Sequence, residues 1–180
     1  GGGGGGDRGG GTRAGGIDWD AVAADYHARI LGPFQPVMCV GGEAARNRLL
    51  AGLHRRGAAG LQGLDMCDLG CGPGNLVAHL GGLVERLTCV DVSTVALDRA
   101  RARGVAVGVE VDAHRLDFTR CPLPGHFDLI VSVNSILPAT RPEVVAILAN
   151  IRRHLRPGGR LLAVLPAFDA VEHSIELRRR

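Results

Sequence analysis

From Leu64 onward the chain alternates short apolar runs with longer amphipathic stretches, and this alternation restricts the fold more than any other feature. Leu64–Leu69, Leu87–Val92, Val105–Val111, Phe127–Val133 and Arg160–Leu165 read as strands rich in Val, Leu and Ile. Between them, Asn75–Leu80 opens a helix, and Thr94–Arg103 forms one that stops at Gly104. Pro142–Leu155 is a helix with proline in its first turn, closed by Arg156-Pro157-Gly158-Gly159. One more helix is expected over Phe168–Leu177. Strands this apolar, with helices between them, predict a mainly parallel sheet with helices on both faces. Right-handed crossovers leave a doubly wound α/β sheet as the default.

A sheet of this kind needs a core, and 180 residues are enough for one. Aromatic residues are only 3% of the chain, so the core must be built from Leu, Val, Ala and Ile. Upstream, eleven of the first sixteen residues are glycine, which predicts a flexible tail over residues 1–16. Ile17–Leu31 has helical spacing, with Ile17 or Asp18 at its start and Gly32-Pro33 as its stop. Glu43–Arg56 reads as a second helix, with Leu49, Leu50 and Leu53 on one face. The expected organisation is therefore a tail (1–16), N-terminal cap helices (17–57) and a cofactor-binding sheet domain (58–180).

The formal charge is only +3, part of it from Arg178, Arg179 and Arg180, which read as a solvated helix end. Few aromatics also argue against a base-stacking surface, so no nucleic-acid site is expected. No apolar run approaches the roughly 20 residues that span a bilayer. The five cysteines are odd in number and form no CxxC, which suggests neither a disulfide framework nor a metal site. A reducing, cytoplasmic setting is expected; with no methionine at position 1, a targeting segment upstream stays open as an alternative.

In doubly wound sheets, ligands lie beyond the carboxyl ends of the strands. After the first strand comes Gly70-Cys71-Gly72-Pro73-Gly74, a turn bare enough for a ligand to approach the backbone. After the second comes Asp91, nineteen residues beyond Gly72. That is close to the roughly 20 expected between a nucleotide-binding glycine turn and the acid that holds a ribose. After the third come Asp112 and Ala113, and after the fourth Asn134 and Ser135. Each alone has a bland explanation: a tight turn, a solvated strand end, a loop acid, a cap. Four successive strand ends with compatible groups carry the functional reading. The glycines also discriminate among nucleotides. A GxGxxG fingerprint would need glycine where Asn75 stands, and no GxxxxGK[ST] occurs.

At these residues the sequence resembles the class I S-adenosylmethionine-dependent methyltransferases. "LDMCDLGCGPGN" resembles the family's first motif, "LTCVDVSTVALDRAR" its second-strand acid and helix, and "VEVDAHRL" its adenine motif. "FDLIVSVNSIL" and "ANIRRHLRPGGRLLAVLP" resemble its fourth- and fifth-strand segments, so the likeness covers Leu64 to Pro166. The resemblance implies a Rossmann-like sheet of order 3-2-1-4-5. It implies that Gly70, Cys71, Gly72 and Gly74 support the methionine part of S-adenosyl-L-methionine, with Asp68 anchoring the loop near its amino group. It places Asp91, with Val92 beside it, at the ribose hydroxyls. Asp112 and Ala113 fall at adenine, and Asn134 near the methionyl group and the transferring methyl. Arg46 is similarly placed to meet the cofactor carboxylate, or is a solvated helix residue.

The implied activity is methyl transfer to a small-molecule acceptor. A sulfonium already activates the methyl, so alignment and exclusion of water are the protein's main tasks. A general base is optional, and no catalytic residue is assigned. His114, His126, His27 and Tyr26 are candidates with structural alternatives, and Tyr26-His27 on the N-terminal helix is the first pair to test. "NSIL" after the fourth strand departs from the NPPY-like stretch of many adenine- or glutamine-directed relatives. The family's usual terminal β-hairpin is expected to be absent, because the sequence ends at Arg180. That predicts an incomplete, weakly active domain with an exposed fifth-strand edge open to self-association. The alternatives are a non-catalytic fragment that only binds cofactor or partner, and a dinucleotide-dependent oxidoreductase, which the GxGxG spacing disfavours.

Overall fold

The structure is a computed structural model and describes residues 13–14, 17–18, 20–21, 48–57, 59–136 and 140–165. Two short strands, β1 (Arg13–Ala14) and β2 (Ile17–Asp18), pair antiparallel with each other. Helical residues 48–57 form α1. The sheet comprises β3 (Met66–Leu69), β4 (Arg86–Asp91), β5 (Glu110–Arg115), β6 (Phe127–Val133) and β7 (Leu155–Val164). Helices α2 (Thr94–Val107) and α3 (Arg141–His154) connect its strands.

All four pairings in the sheet are parallel, in the order β5-β4-β3-β6-β7. This is the expected order 3-2-1-4-5. Strand alternation divides the core between two faces. Met66, Leu129 and Val131 pack with Leu50 and Leu53 of α1 and Leu97 and Ala100 of α2. Cys67, Leu69 and Ile130 point the other way and pack with Ile147 and Ile151 of α3. Helices therefore cover both faces, and α1 buries the leucine stripe seen in its sequence.

Several boundaries differ from the sequence expectation. Gly104 does not stop α2; the helix continues to Val107 and ends at Gly108, which is left-handed at φ 73°. Gly104 is instead a point of close packing, because a Cβ there would lie 2.5 Å from the Val109 carbonyl oxygen. The third strand accordingly runs Glu110–Arg115 rather than Val105–Val111. Asn75–Leu80 is a turn with a short 3-10 segment, Val77–His79, and Asn75 accepts a hydrogen bond from Arg103 of α2. Arg156–Gly159 is a bulge within β7: Leu155 pairs with Phe127, and Arg160 with Leu129. Ile17 and Asp18 are strand, not helix, although Asp18 then accepts from the N–H of Ala21 at 3.1 Å and residues 20–21 are helical. The expected helix over Phe168–Leu177, the terminal hairpin and most of the glycine tail concern positions outside the described residues. Among the described residues, no helix is long and apolar enough to cross a membrane.

Candidate functional site

The carboxyl ends of β3, β4 and β6 converge on the glycine turn. As the chain leaves β3, the N–H groups of Gly70 and Cys71 both donate to Val90 of β4, at 2.8 and 3.1 Å. Ser135, beyond β6, donates to the Leu69 carbonyl at 2.5 Å and contacts Ser132 Oγ at 2.6 Å. These bonds bring the β6 loop so close that a Cβ on Gly70 would lie 2.2 Å from Ser135 Cβ. Glycine at 70 is thus required by packing. Gly72 differs: its φ is +51°, and a Cβ there would meet nothing within 4 Å. Its face of the turn is open.

Asp91 holds that open turn in place. Its Oδ2 accepts from the Gly72 N–H at 2.8 Å, and its Oδ1 from the Ser93 N–H at 2.9 Å. The Val92 N–H is a third backbone donor to this carboxylate, and a carboxylate has about four acceptor positions, so one stays available for a further donor. Burial pushes the Asp91 carboxyl above its ordinary range; hydrogen bonds from Ser93, Gly72 and Val92 pull against this, and nearby Asp20 pushes the same way as burial. Asp68 lies within β3, only 3% exposed, beside Cys89 of β4 and Val131 of β6 in register. Among the described residues no hydrogen bond reaches its carboxyl. Burial, reinforced by the charge on Asp91, pushes its pKa up to about 7. Cys71 is buried in the turn, and its interaction with Cys89 together with burial keeps it a neutral thiol.

Asn134 stands exposed at the end of β6 in a left-handed conformation, φ 54°, with its N–H donating to Val164 at 2.8 Å. Asn tolerates that conformation better than most residues. Val92 follows Asp91 on the same rim, and its carbonyl accepts from Arg115 Nε at 3.3 Å.

Asp112 and Ala113 are not where the sequence reading put them. Both lie inside β5, paired with Thr88 and Cys89, while Arg115 is the residue opposite Asp91. The Asp112 carboxylate is 3.4 Å from Arg86 Nη2, and the Ala113 carbonyl accepts from Arg101 at 3.2 Å. The physical reason is the longer α2, which shifts the start of the strand and with it the position of its carboxyl end. His114 is likewise in β5, 2.9 Å from Asp112. His126 precedes β6 at the opposite, amino end of the sheet, where its ring is 5.5 Å from that of His154. Tyr26, His27 and Arg46 lie outside the described residues.

Two residues at the rim escaped the sequence reading. Ser93 caps α2 by accepting from the Ala96 N–H at 3.1 Å, and is 1% exposed. Its place just before the first helical residue was a legible cap signal. Asp20 reaches the same rim from 75 residues upstream, its Oδ1 3.5 Å from the Val95 N–H. No local signal announces such a contact. A cavity of about 560 Å³ lies elsewhere, between α1 and the starts of β6 and β7, lined by Arg48, Arg56, Asp128 and Gly158 among others. It is at the amino end of the sheet and has none of the glycine-turn groups, so the candidate site is the carboxyl-end cluster. Among the described residues no group of three His, Cys, Asp or Glu could hold a metal ion.

Residues 66–159 match the family model described as "Methyltransferase domain". The chain is 30% identical over 101 residues to the uncharacterized methyltransferase YodH of Bacillus subtilis, covering 56% of this chain and 42% of that protein. It is 29% identical over 108 residues to a ubiquinone biosynthesis O-methyltransferase of Nitrosococcus oceani, covering 59% and 45%. The chain thus spans less than half the length of these curated relatives. A solved DhpI–SAH complex superposes with a TM-score of 0.59 at 25% identity, covering 79% of this chain and 63% of that one.

Proposed function

The chain belongs to the methyltransferase domain family, and on that premise we propose that it transfers the methyl group of S-adenosylmethionine to a small-molecule acceptor. One observation carries the proposal: partly buried Asp91 holds the open Gly72 turn by its N–H, and the buried Asp68 carboxyl lies close enough for the two charges to interact. Two acids whose charged forms are disfavoured by burial and by each other favour a cationic ligand. The donor carries a sulfonium and an ammonium, and its ribose offers two hydroxyl donors. When bound, S-adenosylmethionine supplies a methyl already activated by the sulfonium.

In this reading, the Asp91 carboxylate takes the ribose hydroxyls, with Val92 beside them. Gly70, Cys71, Gly72 and Gly74 present backbone to the methionyl part, and Asp68 meets its ammonium. Asn134 borders the transferring methyl. Asp112 and Ala113 fit poorly, because their polar groups are engaged by Arg86 and Arg101. The DhpI complex with SAH and the ubiquinone-pathway relative support the cofactor and the acceptor class. Among the described residues β7 forms one edge of the sheet, and we also propose self-association along it, measurable by light scattering over a concentration series.

The test is calorimetric titration with S-adenosylhomocysteine and with NAD. S-adenosylhomocysteine should bind and NAD should not. Preferential binding of NAD would overturn the proposal in favour of dinucleotide chemistry.

A further inference from the structure

The cavity at the amino end of the sheet takes no part in the site described above. Leu49, Leu53, Leu64, Leu129 and Leu162 give it an apolar lining, each of them buried or half-buried. Three exposed arginines also line it, Arg48 and Arg56 from α1 and Arg160 from β7. Asp128, the acid in the lining, is engaged by Arg156 at 3.0 Å and by the Asp65 N–H at 3.0 Å. Among the described residues no acid pairs with Arg48, Arg56 or Arg160. Arg48, Gly52 and Arg56 follow at four-residue steps, so they share one stripe of α1. Glycine is disfavoured inside a helix. Here it leaves a gap between two arginines that stand roughly 12 Å apart along the axis. Across the cavity, Gly158 in the β7 bulge is equally bare: a Cβ there would meet nothing within 4 Å.

We propose that this cavity is a second binding site, for a small organic phosphate. Guanidinium forks match phosphate oxygens in paired hydrogen bonds. The four arginines Arg48, Arg56, Arg156 and Arg160 outnumber the acids Asp65 and Asp128, and a phosphate dianion neutralises the excess. The leucines take the organic part of the ligand, which inorganic phosphate lacks. A volume of about 560 Å³ suits a small molecule, since such sites commonly measure about 300–1,000 Å³. The glycine gap on α1 and the bare bulge of β7 give the phosphate room between the arginines. This site lies at the opposite end of the sheet from Gly72 and Asp91, and it does not depend on the methyl-donor reading.

Calorimetric titration of the full chain with phenyl phosphate, benzoate, inorganic phosphate and phenol tests this. Phenyl phosphate should bind at one site, and the other three probes at least about tenfold more weakly. Arg56→Gln and Arg160→Gln should each weaken phenyl phosphate roughly fivefold. Arg152→Gln, on an exposed arginine of α3 outside the lining, should leave it unchanged. Gly52→Leu fills the gap without adding charge, and its Cβ would make an ordinary 3.7 Å contact with Arg55 Nη2. It should abolish binding while circular dichroism stays the same; the two arginine variants, at exposed positions, decide the matter if it does not. No binding of phenyl phosphate to the wild-type chain would overturn the site. So would binding that survives both arginine substitutions. Equal affinity for inorganic phosphate would overturn the role of the leucines, and tighter binding of benzoate would overturn phosphate as the ligand class.

Discussion

The two ends of the sheet carry acids of opposite character. At the amino end, Arg156 bridges Asp65 and Asp128, which are 59% and 32% exposed. Those two carboxylates share one guanidinium and are screened by water. At the carboxyl end, Asp68 is buried and Asp91 partly so, and both carboxyls are pushed upward by burial. Asp91 is satisfied by backbone N–H groups, which leave its net charge in place. The amino end is an internal ion-pair cluster that ties strand starts together. At the carboxyl end a cationic ligand would draw both acids into their charged forms, and that is how a site for a cation differs from a solvated ion-pair cluster.

The largest effect expected from this contrast concerns Asp68. An unfolded aspartate titrates near 3.8, whereas Asp68 in the fold titrates at about 7. The fold therefore holds the proton more tightly than the unfolded chain does. The corresponding stability is fully present below about pH 4, is lost as pH rises through 7, and is level above that. The loss is on the order of 4 kcal/mol. Asp68→Asn should remove this pH dependence, stabilise the ligand-free chain at pH 8 and weaken binding of S-adenosylhomocysteine. Denaturant titrations at pH 5 and pH 8 measure it. An identical pH dependence in variant and wild type would show that Asp68 is not the buried acid responsible.

Next in size is Asp91→Ala. It removes the acceptors that face the ribose and also frees the Gly72 N–H. Charge-assisted hydrogen bonds contribute about 1.5–3 kcal/mol, so affinity should fall by at least about tenfold by calorimetry, with the fold kept as judged by circular dichroism. Unchanged affinity would reduce Asp91 to a loop anchor.

A matched pair of glycines sharpens the comparison further. Gly72 and Gly158 lie at opposite ends of the sheet, with φ of +51° and +81°, and a Cβ on either would meet nothing within 4 Å. Alanine at either position should destabilise by about 1–2 kcal/mol through left-handed strain alone. Only Gly72→Ala should also lower affinity, severalfold, because only its open face belongs to the site. Equal affinities in the two variants would separate the glycine turn from ligand binding.

The smallest effect is expected at Arg156. Arg156→Ala breaks the exposed cluster at the amino end, so it should lower the melting temperature slightly, less so in high salt, and leave affinity unchanged. A loss of affinity comparable with that of Asp91→Ala would mean that the two ends are coupled.

The sequence by itself determined the sheet and most of its order of events. Apolar runs separated by helical stretches specify a parallel, doubly covered sheet. Phe127–Val133 was legible to the residue, because its apolar run ends abruptly at both sides. The glycine turn and Asp91 were also legible, since a bare turn and an acid about twenty residues on are both local signals, and the structure joins them through Gly72. Tertiary structure decided the rest. Gly104 and Gly108 look alike as helix stops; packing against Val109 makes one a contact point and leaves the other as the cap. That choice moved Asp112 and Ala113 inside β5. Asp20 and Ser93 meet across more than seventy residues, and Ser135 meets Gly70 across sixty-five, without any local pattern to announce it. Periodicity along a chain records which residues must leave water. It does not record strand register, or which polar groups meet once the chain has folded, because those depend on the positions of all the elements together.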